Sequence, residues 1–365
     1  MADYREQIKA LQDEIKKTKI NKATESHVGR VKAKIALLKE KQEQRSAKKT
    51  GKSDHGYSVR KSGDGTVLLL GFPSAGKSTL LNSLTGADSE VAAYAFTTLT
   101  VVPGMMNYKQ AKIQILDVPG IVAGAASGKG RGREVLTVIQ NADLVLIVVD
   151  VTAPKHYPAI LREVFDANIR LNKRKPDMYI TKKGQGGLNI GKTVKLNITD
   201  DTIKSIFREF RIMNADVLIR SKVELDDVID VIEGNKKYVP AVTCVSKADL
   251  VSKRELKKVM KEVKGDIAIS AHEELNIGKL RDIIFDKLDF MRIYMKEPKK
   301  EADMEEPLII TRGSTIRDVC RKTHKDFVDK FKFARVTGPS AKFKAQRLML
   351  HHRLKDGDIL ELHIR

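Results

Sequence analysis

Tryptophan is absent from these 365 residues, and cysteine occurs only twice, at Cys244 and Cys320. Two cysteines are too few for a disulfide framework or, by themselves, for a zinc site, and they fit a reducing cytoplasm. No run of eighteen apolar residues occurs and the first twenty residues are rich in charge, so neither a membrane-spanning helix nor a secretory leader is read. A cytoplasmic chain with no membrane partner is expected. What the chain does have is length for two or three domains, 41% hydrophobic residues and a formal net charge of +21. The excess sits at the ends: residues 1–60 hold 16 Lys/Arg against 8 Asp/Glu, and residues 307–365 hold 14 against 6. Such surfaces gather polyanions through charge and counterion release, so nucleic acid is the expected partner class.

Residues 67–85 are the most informative stretch. An apolar run at 67–70 reads as a buried parallel strand, and a helical pattern follows at Leu80, Leu81 and Leu84. Between them stands Gly71-Phe72-Pro73-Ser74-Ala75-Gly76-Lys77-Ser78-Thr79, which fits a phosphate-binding loop in the strand-then-helix setting it requires. Glycines let the backbone close around phosphate, while successive N–H groups and the helix N-terminus supply positive potential. Lys77 would reach the β- and γ-phosphates, and the Ser78 hydroxyl would ligate Mg²⁺.

Further elements follow in the order of a guanine-nucleotide switch. Thr97 and Thr98 lie between this helix and the next strand, where a threonine can sense γ-phosphate through Mg²⁺; Thr98 is the preferred ligand. The strand 112–117 ends in Asp117-Val118-Pro119-Gly120, an acid placed to hold Mg²⁺ through water and an N–H placed to meet the γ-phosphate. Ile121 stands where Ras-like enzymes have a glutamine that orients the attacking water, so unassisted hydrolysis is expected to be slow. The glycine-rich basic loop 124–132 reads as a second switch. Arg131 or Arg133 can stabilise transition-state charge in cis, bind RNA or contact the N-terminal helices. Ser246-Lys247-Ala248-Asp249 resembles the Asn-Lys-x-Asp guanine element with serine in the first place. Asp249 would accept from the guanine N1–H and 2-amino group, Lys247 would lie over the base and towards the phosphate loop, and the Ser270 and Ala271 N–H groups would contact O6. The serine is expected to weaken the tie to neighbouring loops.

Around this core the chain divides into several parts. Residues 1–45 read as a helical hairpin from the spacings of Ile8, Leu11 and Ile15 and of Val28, Val31, Ile35 and Leu38, with Thr24 or Ser26 as a cap. Residues 46–62 read as a linker, 63–168 and 238–290 as the two parts of the nucleotide-binding domain, and 169–237 as an inserted α+β domain. Residues 290–306 read as a charged connector, and 291–365 hold a small mixed domain with a basic face at Lys342, Lys344, Arg347, His351, His352 and Arg353. The fold class is α/β, with a doubly wound, mostly parallel sheet.

With these residues in place, the chain closely resembles the developmentally regulated GTP-binding proteins, a branch of the Obg-like GTPases. The resemblance spans the chain. It rests on the Gly71–Thr79 motif, Ser89-Glu-Val-Ala-Ala-Tyr-Ala-Phe-Thr-Thr-Leu-Thr, Gly128-Lys-Gly-Arg-Gly-Arg, Ile169-Arg-Leu-Asn, Asn214-Ala-Asp-Val and Asp230-Val-Ile-Glu-Gly-Asn. It implies an insert resembling the second domain of a small-subunit ribosomal protein and a C-terminal β-grasp TGS domain. It also implies a translation-associated GTPase acting at ribosomes, with rRNA or tRNA as partner, a stabilising or activating protein partner, and hydrolysis supported by K⁺. The alternative is a nucleotide-gated binding factor in which hydrolysis is incidental. An ATP-dependent nucleic-acid enzyme is disfavoured by Lys247 and Asp249.

Overall fold

The computed structural model describes residues 4–19, 21–49, 63–86, 102–117, 142–298 and 300–364. In chain order these form α1 (Tyr4–Lys17), α2 (Glu25–Lys49), β1 (Gly65–Leu70), α3 (Lys77–Thr85), β2 (Val102–Tyr108), β3 (Ala111–Asp117) and β4 (Leu144–Asp150). Next come α4 (Tyr157–Asp166), β5 (Ile169–Leu171), β6 (Met178–Lys182), β7 (Leu188–Lys192), α5 (Asp200–Glu209), β8 (Ala215–Ile219), α6 (Leu225–Glu233) and β9 (Lys237–Val239). The remainder is β10 (Ala241–Ser246), α7 (Lys253–Glu262), β11 (Ile267–Ala268), α8 (Ile277–Lys287), β12 (Phe290–Lys296) and β13 (Leu308–Thr311). It ends with α9 (Ile316–Thr323), β14 (Phe331–Thr337), β15 (Gln346–Leu348) and β16 (Asp358–Ile364). Two compact units result: α1 and α2 with residues 173–238, and residues 63–172 with 239–364. Among the described residues no helix is long and apolar enough to cross a membrane.

In the second unit a six-stranded sheet has the order β11-β10-β4-β1-β3-β2, parallel except for β2. β1 is buried throughout because both its faces are covered. Val67 and Leu69 pack with Leu80, Leu81 and Leu84 of α3 and with Leu280 and Ile284 of α8. Leu68 and Leu70 face the other way, towards Ile160 and Val164 of α4. An uninterrupted apolar run is the sequence signature of a strand sandwiched in this way.

The C-terminal module is a five-stranded mixed sheet, β13-β12-β16-β14-β15, wrapped on α9. It corrects the connector expected at 290–306, because Phe290–Lys296 is strand β12, parallel to β16. Met291, Ile293 and Met295 turn into the module's core while Arg292, Tyr294 and Lys296 lie on the strand's opposite face, where Tyr294 is itself buried, so the period of two barely shows in the sequence. Thr315 caps α9 through a reciprocal pair of bonds with Asp318. Phe290 and Ile309 belong to the core beneath the six-stranded sheet, so the two sheets share apolar contacts.

In the first unit α5 and α6 cover one face of a three-stranded sheet, β6-β8-β7. Val28 and Ala33 of α2 join that core with Ile203, Ile206 and Phe207, and Lys32 pairs with Asp226 at 2.8 Å. The hairpin therefore docks on the insert. Thr24 precedes α2 and exchanges bonds with Asn21, whereas Ser26 bonds Ser205 at 3.1 Å. Helix α2 continues to Lys49, so residues 46–49 are helical rather than linker; the rest of 46–62 lies outside the described residues. Ile169, expected in the insert, packs in the second unit's core, and the chain's departure and return there are fastened by Asn172, which exchanges two side-chain bonds with Ala241.

A Cβ at Gly65 would lie 2.6 Å from Phe290 Cζ, a ring held between the two sheets. Gly65→Ala is therefore expected to lower stability by about 1–3 kcal/mol in denaturant melts. An unchanged midpoint would show that the ring yields freely.

Candidate functional site

The C-terminal ends of β1, β3, β4, β10 and β11 gather at one edge of the six-stranded sheet, the place where open α/β sheets bind ligands. β1 delivers the loop from Gly71 to Gly76. A Cβ on Gly71 would meet the Val148 carbonyl at 2.5 Å, so only glycine allows this approach to β4. Gly76 sits at the N-cap of α3 with φ 83°, a left-handed conformation that suits glycine. Pro73 and Ser74 are exposed on the loop and Ala75 is buried beneath it.

Lys77 opens α3 with only 8% of its surface exposed, and its ammonium donates to the Phe72 carbonyl at 3.2 Å. Burial pushes its pKa below the usual lysine range, opposed by the charge of Asp117. Ser78 donates its hydroxyl to Asp117 Oδ2 at 2.9 Å. Asp117 is 4% exposed, and its other oxygen, Oδ1, is buried without a hydrogen-bond partner among the described residues. Thr79 is exposed on α3 and its carbonyl accepts from Ser83 at 3.0 Å.

The second half of the site comes from β10 and β11. Ser246 is buried at the end of β10, and its hydroxyl donates to the Ala75 carbonyl at 2.8 Å, with the Val149 carbonyl at 3.2 Å. The short side chain thus keeps a direct tie to the phosphate loop. Lys247 follows with φ 57°, and its ammonium bonds Asp150 Oδ2 at 2.7 Å. Asp150 Oδ1 accepts from both the N–H and hydroxyl of Thr152, at 2.8 and 2.7 Å. Although burial opposes it, these bonds hold the Asp150 carboxyl below its ordinary range. The Ala248 N–H donates to the Ile269 carbonyl at 2.9 Å, which lays the loop against β11. Asp249 projects into solvent, and a hydrogen bond from Ser270 lowers its pKa. Ser270 is buried, and the Ala271 carbonyl lies 3.4 Å from the Ser83 hydroxyl of α3.

The fold thus brings together Gly71, Pro73, Ser74, Ala75, Gly76, Lys77, Ser78, Thr79, Asp117, Lys247, Asp249, Ser270 and Ala271. Thr98 and Gly120 lie outside the described residues, as do Thr97, Ile121, Arg131 and Arg133. Two participants were missed. Asp150 ends the apolar run of β4 as Asp117 ends that of β3, a parallel that the sequence displays. His156 stacks on Phe72 of the phosphate loop, ring centroids 4.1 Å apart, and no sequence signal announces it.

This geometry is matched by known sequences. A family profile described as "50S ribosome-binding GTPase" matches residues 66–183, one described as its C-terminal region matches 185–290, and a TGS domain profile matches 291–364. Developmentally-regulated G-protein 3 of Arabidopsis thaliana is 43% identical across 99% of both chains. The chain belongs to the developmentally regulated GTP-binding protein family. An uncharacterized GTP-binding protein of Methanocaldococcus jannaschii is 49% identical, covering 99% of this chain and 93% of its own. Developmentally-regulated GTP-binding protein 1 of Xenopus laevis is 42% identical across 97% of both. This member of the family is thus a GTP-binding protein with a P-loop GTPase fold. GTPases generally use Mg²⁺ with GTP, and the residues here fit it: a hydroxyl and a buried carboxylate oxygen left unpaired are hard oxygen donors.

Removing the Ser246 hydroxyl leaves the Ala75 carbonyl without its donor. Ser246→Ala should weaken GDP binding about tenfold in calorimetric titration, and Ser246→Asn should restore it. Equal affinity in wild type and Ser246→Ala would show that this tie does not position the phosphate loop.

Proposed function

We propose that this family member is a Mg²⁺-dependent GTPase switch that hydrolyses GTP to GDP and phosphate and associates with ribosomal RNA or tRNA in the cytoplasm. The carrying observation is Asp117, which grips Ser78 with one oxygen while the other stays buried and unpaired. Ser78 and Asp117 would hold Mg²⁺, with Thr98 as the third ligand, and the bound ion would neutralise charge on the phosphate oxygens. Gly71, Pro73, Ser74, Ala75, Gly76 and Thr79 would wrap the phosphates, and Lys77 and the Gly120 N–H would stabilise charge on the γ-phosphate. Asp249, Lys247, Ser270 and Ala271 would read the base. K⁺ would add a further cation to a site short of catalytic groups. Ile121 offers no hydrogen bond to the attacking water, so turnover is slow until an activating or stabilising protein partner or an ion assists.

The RNA part of this reading rests on charge. Residues 1–60, 173–222 and 307–365 are each strongly basic, whereas the rest of the chain holds 26 Lys/Arg against 28 Asp/Glu. The basic excess therefore lies outside the nucleotide-binding core. A family profile whose description names the 50S ribosome accords with that distribution. Ile121 also supports a second reading, in which bound GTP alone sets affinity for the target and hydrolysis is incidental.

Competition titration should place ATP about 10⁴-fold behind GTP, because adenine leaves Asp249 unpaired. Equal affinities would defeat the guanine assignment. Lys77→Ala and Asp117→Ala should both abolish turnover. Ribosome co-sedimentation of these variants separates the two readings. A variant that cosediments with GTP but does not turn over supports the gated factor, and joint loss supports the switch.

A further inference from the structure

Three regions carry the basic excess, and the insert differs from the other two in the kind of surface it offers. Residues 173–222 hold 12 Lys/Arg against 5 Asp/Glu. Helices α5 and α6 cover one face of the β6-β8-β7 sheet, burying Met178, Ala215, Val217 and Ile219. Strand pairing sets the composition of the opposite face. Tyr179 pairs with Leu218, and Leu218 with Gly191, so these three make one row across the sheet. Thr181, Asp216 and Asn189 make the next row, with Asp216 already engaged by Lys183 and Asn189.

We propose that this open sheet face is a docking platform for single-stranded RNA, with Tyr179 as its base-stacking residue. Four observations converge. Tyr179, the second residue of β6, is 59% exposed, with the Arg220 guanidinium 5.4 Å from its ring centroid. Gly191 leaves the surface beside it flat. Its φ is not in the left-handed region and a Cβ there would meet Leu218 Cδ1 at 3.5 Å and the Val217 carbonyl oxygen at 3.9 Å, both ordinary contacts, so the fold does not require glycine at this position. At the end of the sheet where β6 begins and β7 and β8 finish, Arg174, Lys175, Lys195 and Lys222 are all exposed. None of these four is paired with a carboxylate among the described residues, whereas Lys173 and Lys192 are.

An exposed aromatic ring on a flat face flanked by free cations is the arrangement that holds an unpaired base by stacking and tracks the backbone by charge. An A-form duplex hides its base faces and gains nothing from the tyrosine. The C-terminal module is a poorer platform. Its Phe333 ring is already stacked on His363 at 4.3 Å and capped by Arg347 at 4.1 Å. The platform deepens the RNA-association reading and rests on it.

The test uses the full chain and fluorescence anisotropy with a labelled twelve-nucleotide single strand and with the same strand in duplex. Tyr179→Ala should weaken single-strand binding about tenfold, Tyr179→Phe should not, and duplex binding should not change. Gly191→Val, which raises a branched side chain on the row, should weaken the single strand as well. Lys222→Gln should reduce the salt slope by about 0.7. The far-ultraviolet circular dichroism spectrum and melting midpoint should be the same in all variants, which verifies that the insert folds, and GDP affinity should not change. Single-strand binding by Tyr179→Ala and Gly191→Val equal to wild type overturns the platform while leaving RNA association standing. Absence of RNA binding by the wild-type chain overturns both. If an acidic protein competes for the wild type and is equally indifferent to Tyr179→Ala, the face is an electrostatic protein contact and the stacking role is lost.

Discussion

A carboxylate oxygen buried without a partner is costly, and folded proteins retain few of them. Among the described residues Asp117 carries one at the end of β3, with its sister oxygen committed to Ser78 at 2.9 Å. Everything around it is arranged so that this strained economy persists. β3 lies beside β1, and the pairing of Leu69 with Asp117 fixes the acid against the strand that launches the phosphate loop. Apolar layers on both faces of β1 prevent the acid from relaxing into water. Under the proposed function a hard divalent cation with phosphate oxygens would relieve that cost and couple nucleotide affinity to this contact.

Two braces extend that contact to the base-reading end. Ser246 ties β10 to the Ala75 carbonyl, and Asp150 holds the Lys247 ammonium at 2.7 Å while Thr152 occupies its other oxygen. Both braces start from strand ends, so the rigidity of the sheet is passed to loops that would otherwise be free. A short serine suffices where the two loops lie within one hydroxyl's reach. Under the proposed function, guanine selection and phosphate binding would therefore not be independent sites sharing a surface. The Ser246 hydroxyl joins the two loops directly, and Asp150 anchors the second loop to β4.

The buried strands β1 and β4 were legible because sandwiching demands unbroken apolar runs, and the phosphate loop because its glycines answer specific steric needs at Gly71 and Gly76. β12 was obscured, since Met291, Ile293 and Met295 alternate with Arg292, Tyr294 and Lys296 amid charged neighbours. The insert's three strands escaped notice for a related reason: β6 and β7 bury few residues, so their period of two barely shows in hydropathy. Asp150 was visible as an acid ending an apolar run, but its role depends on Lys247, almost a hundred residues away. The Ser246 contact depends on loop separation, a tertiary quantity that no local pattern encodes.

Under the proposed function, guanine is selected through Asp249. The carboxylate accepts from two donors on guanine; an asparagine presents one acceptor and one donor, which suits xanthine with its carbonyl at position 2. Competition titration of Asp249→Asn with xanthosine and guanosine triphosphates tests this directly. The account predicts that the variant prefers the xanthosine nucleotide while wild type prefers GTP. A variant that keeps the wild-type preference for GTP would contradict it.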